Sequence, residues 1–526
     1  TGTELWRTPR TVARQRPDWS APTVVAQPAV LLVADRRPAP TPDVDVSTGR
    51  AMPRWLAEGG AAGDLVAYST ATGQPLWTAP CGEVYHSAID VFVRDGEVWL
   101  GQSRARQGPD FSVARDLLTG EVKQRISTEP AYRTTMPHHR CHRNRATARY
   151  LVTGRTGVEF IDLQTGAASR HHWVRGACQF GVIPANGLLY APPHACACYI
   201  EAKLTGFNCL APGRADEAVS GAADEANRDG REEDGRLVRG MGTGASVEPN
   251  PVETAADDWP TYRHDAARSG RASTTVSADL KCAWQTTVGG RLTSPVVAQG
   301  LVLVAAIEAH TLHAFDARDG KPLWQFTAGG RIDSPPTVAN GRAVFGAADG
   351  WVYCLELAGG RLAWRYRAAP DERRVVAHNQ LESPWPVHGS VLVRDGAVYC
   401  AAGRSSYLDG GIWLVRLDLQ TGRRLAQRRL YSRDQQTGEQ PAEPIIFEMP
   451  GALPDVLSCD GQLLYMRHLA FRPDDLAPQP APAHLYSPAG FLNDDWWHRN
   501  YWIFGTHFYS GYIGWYFAGR ETPAGR

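Results

Sequence analysis

RLTSPVVAQGLVLVAAIEAHTLHAFDARDGKPLWQF, residues 291–326, is followed by RIDSPPTVANGRAVFGAADGWVYCLELAGGRLAWRY, residues 331–366. The two stretches are copies of one pattern. Gly320 and Gly360 stand 40 positions apart, and each is followed four residues later by a tryptophan, Trp324 and Trp364. A repeat of this length signals a solenoid, an array or a propeller, because a single unit cannot bury its apolar face alone.

The inside of the repeat chooses among these. Apolar runs at 295–298 and 301–305 flank Gln299-Gly300, and Asn340-Gly341 stands in the same place in the second copy. A two-residue turn between such runs needs φ > 0 at its centre, so these pairs predict β-hairpins. A second hairpin turns at Asp316 to Gly320 and returns through Pro322 to Phe326. Four strands per 40 residues describe a propeller blade.

FDARDGKPLW and YCLELAGGRLAW resemble the repeat of the PQQ-binding-like, quinoprotein-type β-propellers, in which an Asp-x-x-Thr-Gly-Lys-x-x-Trp motif joins the last two strands of a blade. In that family the tryptophan docks between blades. DWPTYRHDAARSG (258–270) is similar to the segment that opens such propellers, as in large PQQ-like repeat proteins of bacteria and, more distantly, outer-membrane assembly propeller lipoproteins. The resemblance implies an all-β protein of four-stranded PQQ-like blades. It is specific for fold and leaves function open.

The motif recurs outside the central pair. Gly2 with Trp6 and Gly73 with Trp77 keep the same offset, whereas the turns at Gly120, Gly166 and Gly422 lack the tryptophan. Between them, 213–257 is polar, mixed in charge and almost free of large apolar residues, so it reads as a disordered linker or insertion. The expected organisation is therefore 1–212 as closing blades of one propeller and 258–526 as opening blades of a second, favoured by the opening motif in mid-chain over a single ring of about eight blades built across the linker. The bare closing motif at the start suggests an excerpt of a longer protein.

Composition narrows the function classes. Lys plus Arg and Asp plus Glu are equal at 55 each, so charge recommends no nucleic-acid partner. No apolar run is long enough for a membrane-spanning helix. Ten cysteines occur without a C-x-x-C or C-x-x-C-H, which argues against c-type haem attachment.

Three clusters could carry chemistry. His138, His139, Cys141, His142, His194, Cys196 and Cys198, with His171, His172 and Cys178 nearby, would suit zinc or copper if they converged. Loop histidines and buried cysteines are the alternative. In the tail, Asp494, Asp495, Trp496, Trp497, His498 and Arg499 combine rings, carboxylates and a guanidinium in a manner that suits glycan binding, or else blade packing. A third set, Arg374, His378, Glu382, Trp385, Arg404, Ser405 and Asp409, occupies loop positions where propellers place ligand or partner surfaces; Arg404 joins the candidate ligand residues.

No catalytic residue is assigned. The leading expectation is a non-catalytic binding or assembly scaffold in the bacterial cell envelope, periplasmic or otherwise extracytoplasmic, with protein or glycan partners. The resemblance implies one enzymatic alternative, a quinoprotein dehydrogenase of an alcohol or sugar using PQQ and calcium. The family's adjacent-cysteine pair is missing here. A carbohydrate-binding propeller is the third reading.

Overall fold

The computed structural model describes residues 3–9, 22–36, 62–82, 89–104, 108–132, 143–154, 156–177, 180–193, 198–213, 235–240, 255, 257–441, 443–445, 448–487 and 503–506. These residues are almost entirely strand and turn, with one 3-10 turn at Glu129–Ala131. The chain divides into two compact units. The first comprises Thr1–Tyr199, Lys203–Arg214 and Thr437–Met449; the second comprises Ile200–Ala202, Ala215–Gln436 and Pro450–Arg526. No helix among the described residues is long and apolar enough to cross a membrane.

Each unit is a series of antiparallel meanders. In the first unit, blade 1 is Thr23–Ala26, Val30–Arg36, Ala62–Ser69 and Pro75–Gly82; blade 2 is Val91–Arg94, Glu97–Leu100, Val113–Asp116 and Val122–Arg125. Blade 3 is Arg145–Ala146, Tyr150–Thr153, Val158–Asp162 and Ala168–His171. Blade 4 has three strands among the described residues, Ile183–Ala185, Leu188–Ala191 and Asn208–Leu210.

The second unit holds the two repeats quoted above. Blade 5 is Val296–Ala298, Leu301–Ala306, Thr311–Asp316 and Pro322–Thr327; blade 6 is Thr337–Ala339, Arg342–Gly346, Trp351–Glu356 and Leu362–Arg367. Blade 7 is Leu392–Arg394, Ala397–Ala402, Ile412–Asp418 and Arg424–Leu430. Blade 8 is Ser458–Cys459, Leu464–Met466, Leu469–Phe471 and Pro478–Gln479. The expected hairpin turns are present, with positive φ at Gln299-Gly300 and Asn340-Gly341, and Asp395-Gly396 turns blade 7 in the same way.

The motif glycine and tryptophan form a lock between neighbouring blades. Gly360 has φ +66, and a Cβ added to it would fall 2.5 Å from the Trp324 ring. The Trp324 indole N–H donates to the Leu357 carbonyl at 2.9 Å, three residues before that glycine. The arrangement repeats with Trp6 on Gly73, Trp77 on Gly120, Trp284 on Gly320 and Trp364 on Gly422, each indole donating to the carbonyl three residues upstream of its glycine. A bulge precedes the tryptophan in blades 1, 5 and 6 and aims it sideways. Where blade 2 lacks the tryptophan, Gln124 donates its amide to Leu163 at 2.8 Å, the equivalent carbonyl.

At blade 7 the lock is inverted. Ala426 stands in the tryptophan place, cross-strand from Arg416, and the turn of blade 8 puts buried Leu476 at φ +59 where glycine would be. Both belong to one apolar cluster with Leu414, Leu464 and Phe471. Arg416 donates to the Asp474 carbonyl of the same turn at 2.9 Å, one residue past the place of the lock carbonyl. A large residue and a small one have exchanged sides.

The segment similar to propeller openings has a structural task. Trp259 bridges Val297 of blade 5, the Pro260 carbonyl accepts from Val338 of blade 6, and Ala266 accepts from Cys459 of blade 8. Arg268 donates to the carbonyls of Tyr262, Ser390 and Leu457. The segment thus crosses the first strands of successive blades and ties them together. Within the polar stretch 213–257, Leu237–Arg239 adds a fifth strand to the outer edge of blade 6. Leu237, packed against the core there, is one of the few large apolar residues of that stretch.

Two outcomes check the lock. Gly360→Ala forces both a strained φ and a clash, and is expected to cost about 2–4 kcal/mol in urea unfolding. Ala426→Trp and Leu476→Gly are each expected to destabilise by about 1–3 kcal/mol, through overpacking and a cavity respectively. The double variant should recover at least half of their sum, since the two residues share one contact.

Candidate functional site

The third sequence cluster is the one that the fold assembles. In an up-and-down blade, the connections between second and third strands and those between successive blades lie at the same end. Four such connections meet in the second unit: 328–336, 347–350, 368–391 and 403–411. The third of these carries its own hairpin, Val375–Ala377 paired with Gln380–Glu382, turned by His378 and Asn379 at positive φ.

Glu382 is fully buried and holds two guanidinium groups. Arg331, 2% exposed, donates Nε to its Oε1 at 2.9 Å, and Arg404 donates Nη2 to its Oε2 at 2.8 Å. Asp333 lies 3.8 Å from Arg331 Nη1 and 3.0 Å from His388 Nδ1. His378 faces this network; burial, then the Arg331 charge, pushes its pKa below the ordinary histidine range. The buried Arg331 Nη2 has no hydrogen-bond partner among the described residues. Arg404, partly exposed, brings the network to the surface.

The remaining members of the set brace the network. Arg374 donates to the Asp349 carbonyl, and Arg373 lies over the buried Trp385 ring, 4.6 Å from its centroid. Ser405 is buried and accepts from the Tyr407 backbone. Burial raises the Asp349 carboxyl above the usual range, although Tyr353 donates to it at 2.6 Å. Asp409 lies in the 403–411 turn at φ +49. On the hairpin, Val376 and Leu381 are cross-strand partners, 78% and 66% exposed, and form a small apolar face beside the charges.

Both buried carboxylates of the network are committed to cationic or imidazole partners, so neither is poised as a free base. Sequence reasoning missed Arg331, Asp333 and His388. Arg331 has a counterpart in the first copy, Arg291, but that residue is an exposed partner of Glu308; the motif alone does not distinguish them.

The other clusters have different outcomes. Of the proposed metal ligands, Cys198 is described and buried, while His138, His139, Cys141, His142, His194 and Cys196 lie outside the described residues, as does Cys178. Among the described residues, no group of three metal-binding side chains gathers. His171 packs edge-on between Phe160 and Trp173. His172 is wholly buried, its Nε2 3.4 Å from Glu159 and its Nδ1 3.1 Å from the Gln440 amide. The tail set, Asp494, Asp495, Trp496, Trp497, His498 and Arg499, also lies outside the described residues, as does Gly2 of the blade motif.

Glu159 makes a pH prediction. Burial alone would raise its carboxyl, but the His172 contact and hydrogen bonds from the Thr156 backbone and the Thr153 hydroxyl outweigh it and hold the pKa at about 2. Its folded pKa is below its unfolded value, so its stabilisation is present above pH 4.5 and lost as pH falls toward 2. Glu159→Gln should flatten that acid limb of a thermal-unfolding profile. Glu382→Gln, which leaves two arginines facing a neutral amide, is expected to cost about 3–5 kcal/mol in urea unfolding.

Comparison with known proteins places this region. Residues 266–446 match the family model described as outer membrane protein assembly factor BamB. A stretch of 160 residues is 30% identical to the outer membrane protein assembly factor BamB of Yersinia pestis, covering 29% of this chain and 38% of that protein. The chain therefore spans less than half the length of this curated relative. Among solved structures, similar chains include quinohemoprotein alcohol dehydrogenase ADHIIG of Pseudomonas putida HK5, with 14% identity, TM-score 0.34, and coverage of 44% of this chain and 42% of that one. Another is BamB of Moraxella catarrhalis, with 13% identity, TM-score 0.21, and coverage of 73% and 81%. Over residues 266–446, the blades of the second unit are similar to the PQQ-like β-propeller repeat family.

Proposed function

We propose that this protein is a non-catalytic scaffold of the bacterial cell envelope that holds a protein partner on the loop face of its second unit. The observation that carries the reading is the extent of the family match. Residues 266–446 include all of Arg331, Asp333, Glu382, His388 and Arg404, together with the hairpin bearing Val376 and Leu381. The matching relative is an assembly factor for outer membrane proteins. A rigid platform of paired charges beside two exposed apolar side chains has the makeup of a protein interface: an apolar centre, a polar rim and an arginine anchor.

The quinoprotein alternative meets an obstacle at this face. A calcium ion needs oxygen ligands, and the buried carboxylates Glu382 and Asp333 already face Arg331, Arg404 and His388. A dication would have to compete with those groups. A tricarboxylate such as PQQ could still meet Arg331 Nη2, unpartnered among the described residues, so binding itself is the discriminating measurement.

The test has two arms. In the first, the purified chain is titrated with PQQ and calcium while tryptophan fluorescence and quinone absorbance are followed; saturable micromolar binding would overturn the scaffold reading. In the second, a photo-crosslinking residue is placed at Val376 or Leu381 in envelope-directed protein. Crosslinks to outer-membrane assembly proteins are expected, and Leu381→Asp introduced on the Val376 probe should abolish them while leaving the unfolding midpoint unchanged.

A further inference from the structure

The outer edge of blade 6 presents three distinct recognition elements to the strand that covers it. Strand Leu237–Arg239 pairs antiparallel with Leu362–Arg367, setting Leu237 opposite Tyr366, Val238 opposite Arg365 and Arg239 opposite Trp364. Arg236 lies over the Tyr366 ring, 5.2 Å from its centroid, and donates to Gln427 Oε1 at 2.8 Å. Leu237 covers the Trp364 and Gly422 lock, and Trp364 is 1% exposed there, whereas Trp324 of the uncovered lock is only partly buried. At Gly240 any Cβ would collide with the Leu362 carbonyl oxygen. The backbone is fastened at both ends, by Arg367 N–H to the Arg236 carbonyl at 2.9 Å and Gly240 N–H to the Ala363 carbonyl at 3.0 Å.

A brace that merely covered an edge would not need such selectivity. The equivalent edge of blade 5 carries no fifth strand among the described residues, and its Leu323 is 52% exposed. Counting from the lock glycine, Arg365 stands in the neighbouring blade where Gln427 stands beside blade 6, so the blade 5 edge lacks the Gln427 acceptor. A guanidinium in that place would repel Arg236. The added strand is also short, three residues against six in Leu362–Arg367, and only its first residue is even partly buried.

We propose that this edge is a binding site for an extended peptide of the pattern Arg-Leu-x-x-Gly, filled at rest by the chain's own Arg236–Gly240 and open to exchange with a strand offered in trans. Recognition is by β-augmentation: the backbone ladder gives affinity, while the Tyr366 and Gln427 seat, the Trp364 face and the Leu362 carbonyl give specificity. The tethered copy competes as an intramolecular ligand at high effective concentration.

The experiment replaces residues 235–240 by a Gly/Ser hexapeptide and titrates the otherwise full chain with fluorescein-labelled Gly-Arg-Leu-Val-Arg-Gly, read by anisotropy. Saturable one-to-one binding is expected, at least tenfold weaker when the peptide's last glycine is valine or when the protein carries Gln427→Arg. The unaltered chain should bind the same peptide at least tenfold more weakly, yet measurably. Absence of binding to the replaced chain with its β circular dichroism intact, indifference to valine, or no binding at all to the unaltered chain would each overturn the proposal. Should the replaced chain fail to fold, hydrogen exchange on the unaltered one decides: amides of 236–240 should exchange at least tenfold faster than those of 362–367, and equal protection would sink the idea.

Discussion

The indole of each motif tryptophan lying on the next blade's glycine is the contact on which the rest of the structure depends. A four-stranded meander has two apolar faces and cannot stand alone in water, so a blade is stable only against a neighbour. The lock sets that distance. Glycine is required because the ring occupies the space of a Cβ, and because the turn needs positive φ at that point; the two demands fall on one residue. The indole N–H finds a turn carbonyl, so the ring is buried without leaving a donor unpaired.

Much of this was legible in the sequence, and the parts that were not share a cause. Gly320, Trp324, Gly360 and Trp364 announce themselves because one residue type does both jobs in each copy. Gln124 and the Ala426 with Leu476 pair do the same work with other side chains, so a motif read as residue types passes over them. Gln124 preserves the hydrogen bond and gives up the ring. The inverted pair keeps one large and one small residue in contact, and a cation from the adjacent strand bonds a neighbouring carbonyl of the same turn. Packing constrains the sum across an interface, whereas a sequence shows only one side at a time.

The loop face was legible as a position but not as a network. Glu382 and Arg404 were recognisable as polar loop residues; Arg331, 51 positions before Glu382, was not. Nothing local distinguishes Arg331 from Arg291, since both open a repeat in the same place. The difference lies in what the following connection offers: 368–391 is long enough to fold its own hairpin and return Glu382 to the blade. The extra length that obscures the repeat therefore creates the site.

The two ends of each blade carry different burdens. Locks occupy the turns between third and fourth strands and hold the residue pattern nearly constant there. The opposite connections contribute nothing to the lock and are free to vary in length and charge, as 328–336 and 368–391 do. The outer edges are free in a third way, since a fourth strand exposes unpaired backbone groups that invite another strand. In blade 6 that invitation is answered by Arg236–Gly240, drawn from an otherwise polar stretch with little apolar surface of its own to bury. Its order comes from the edge it meets: Leu237 supplies an apolar contact, and the ladder and the Arg236 seat supply the rest. A fold that fixes its blades at one end can thus vary its recognition at the other end and along the rim without disturbing the contacts that hold it together.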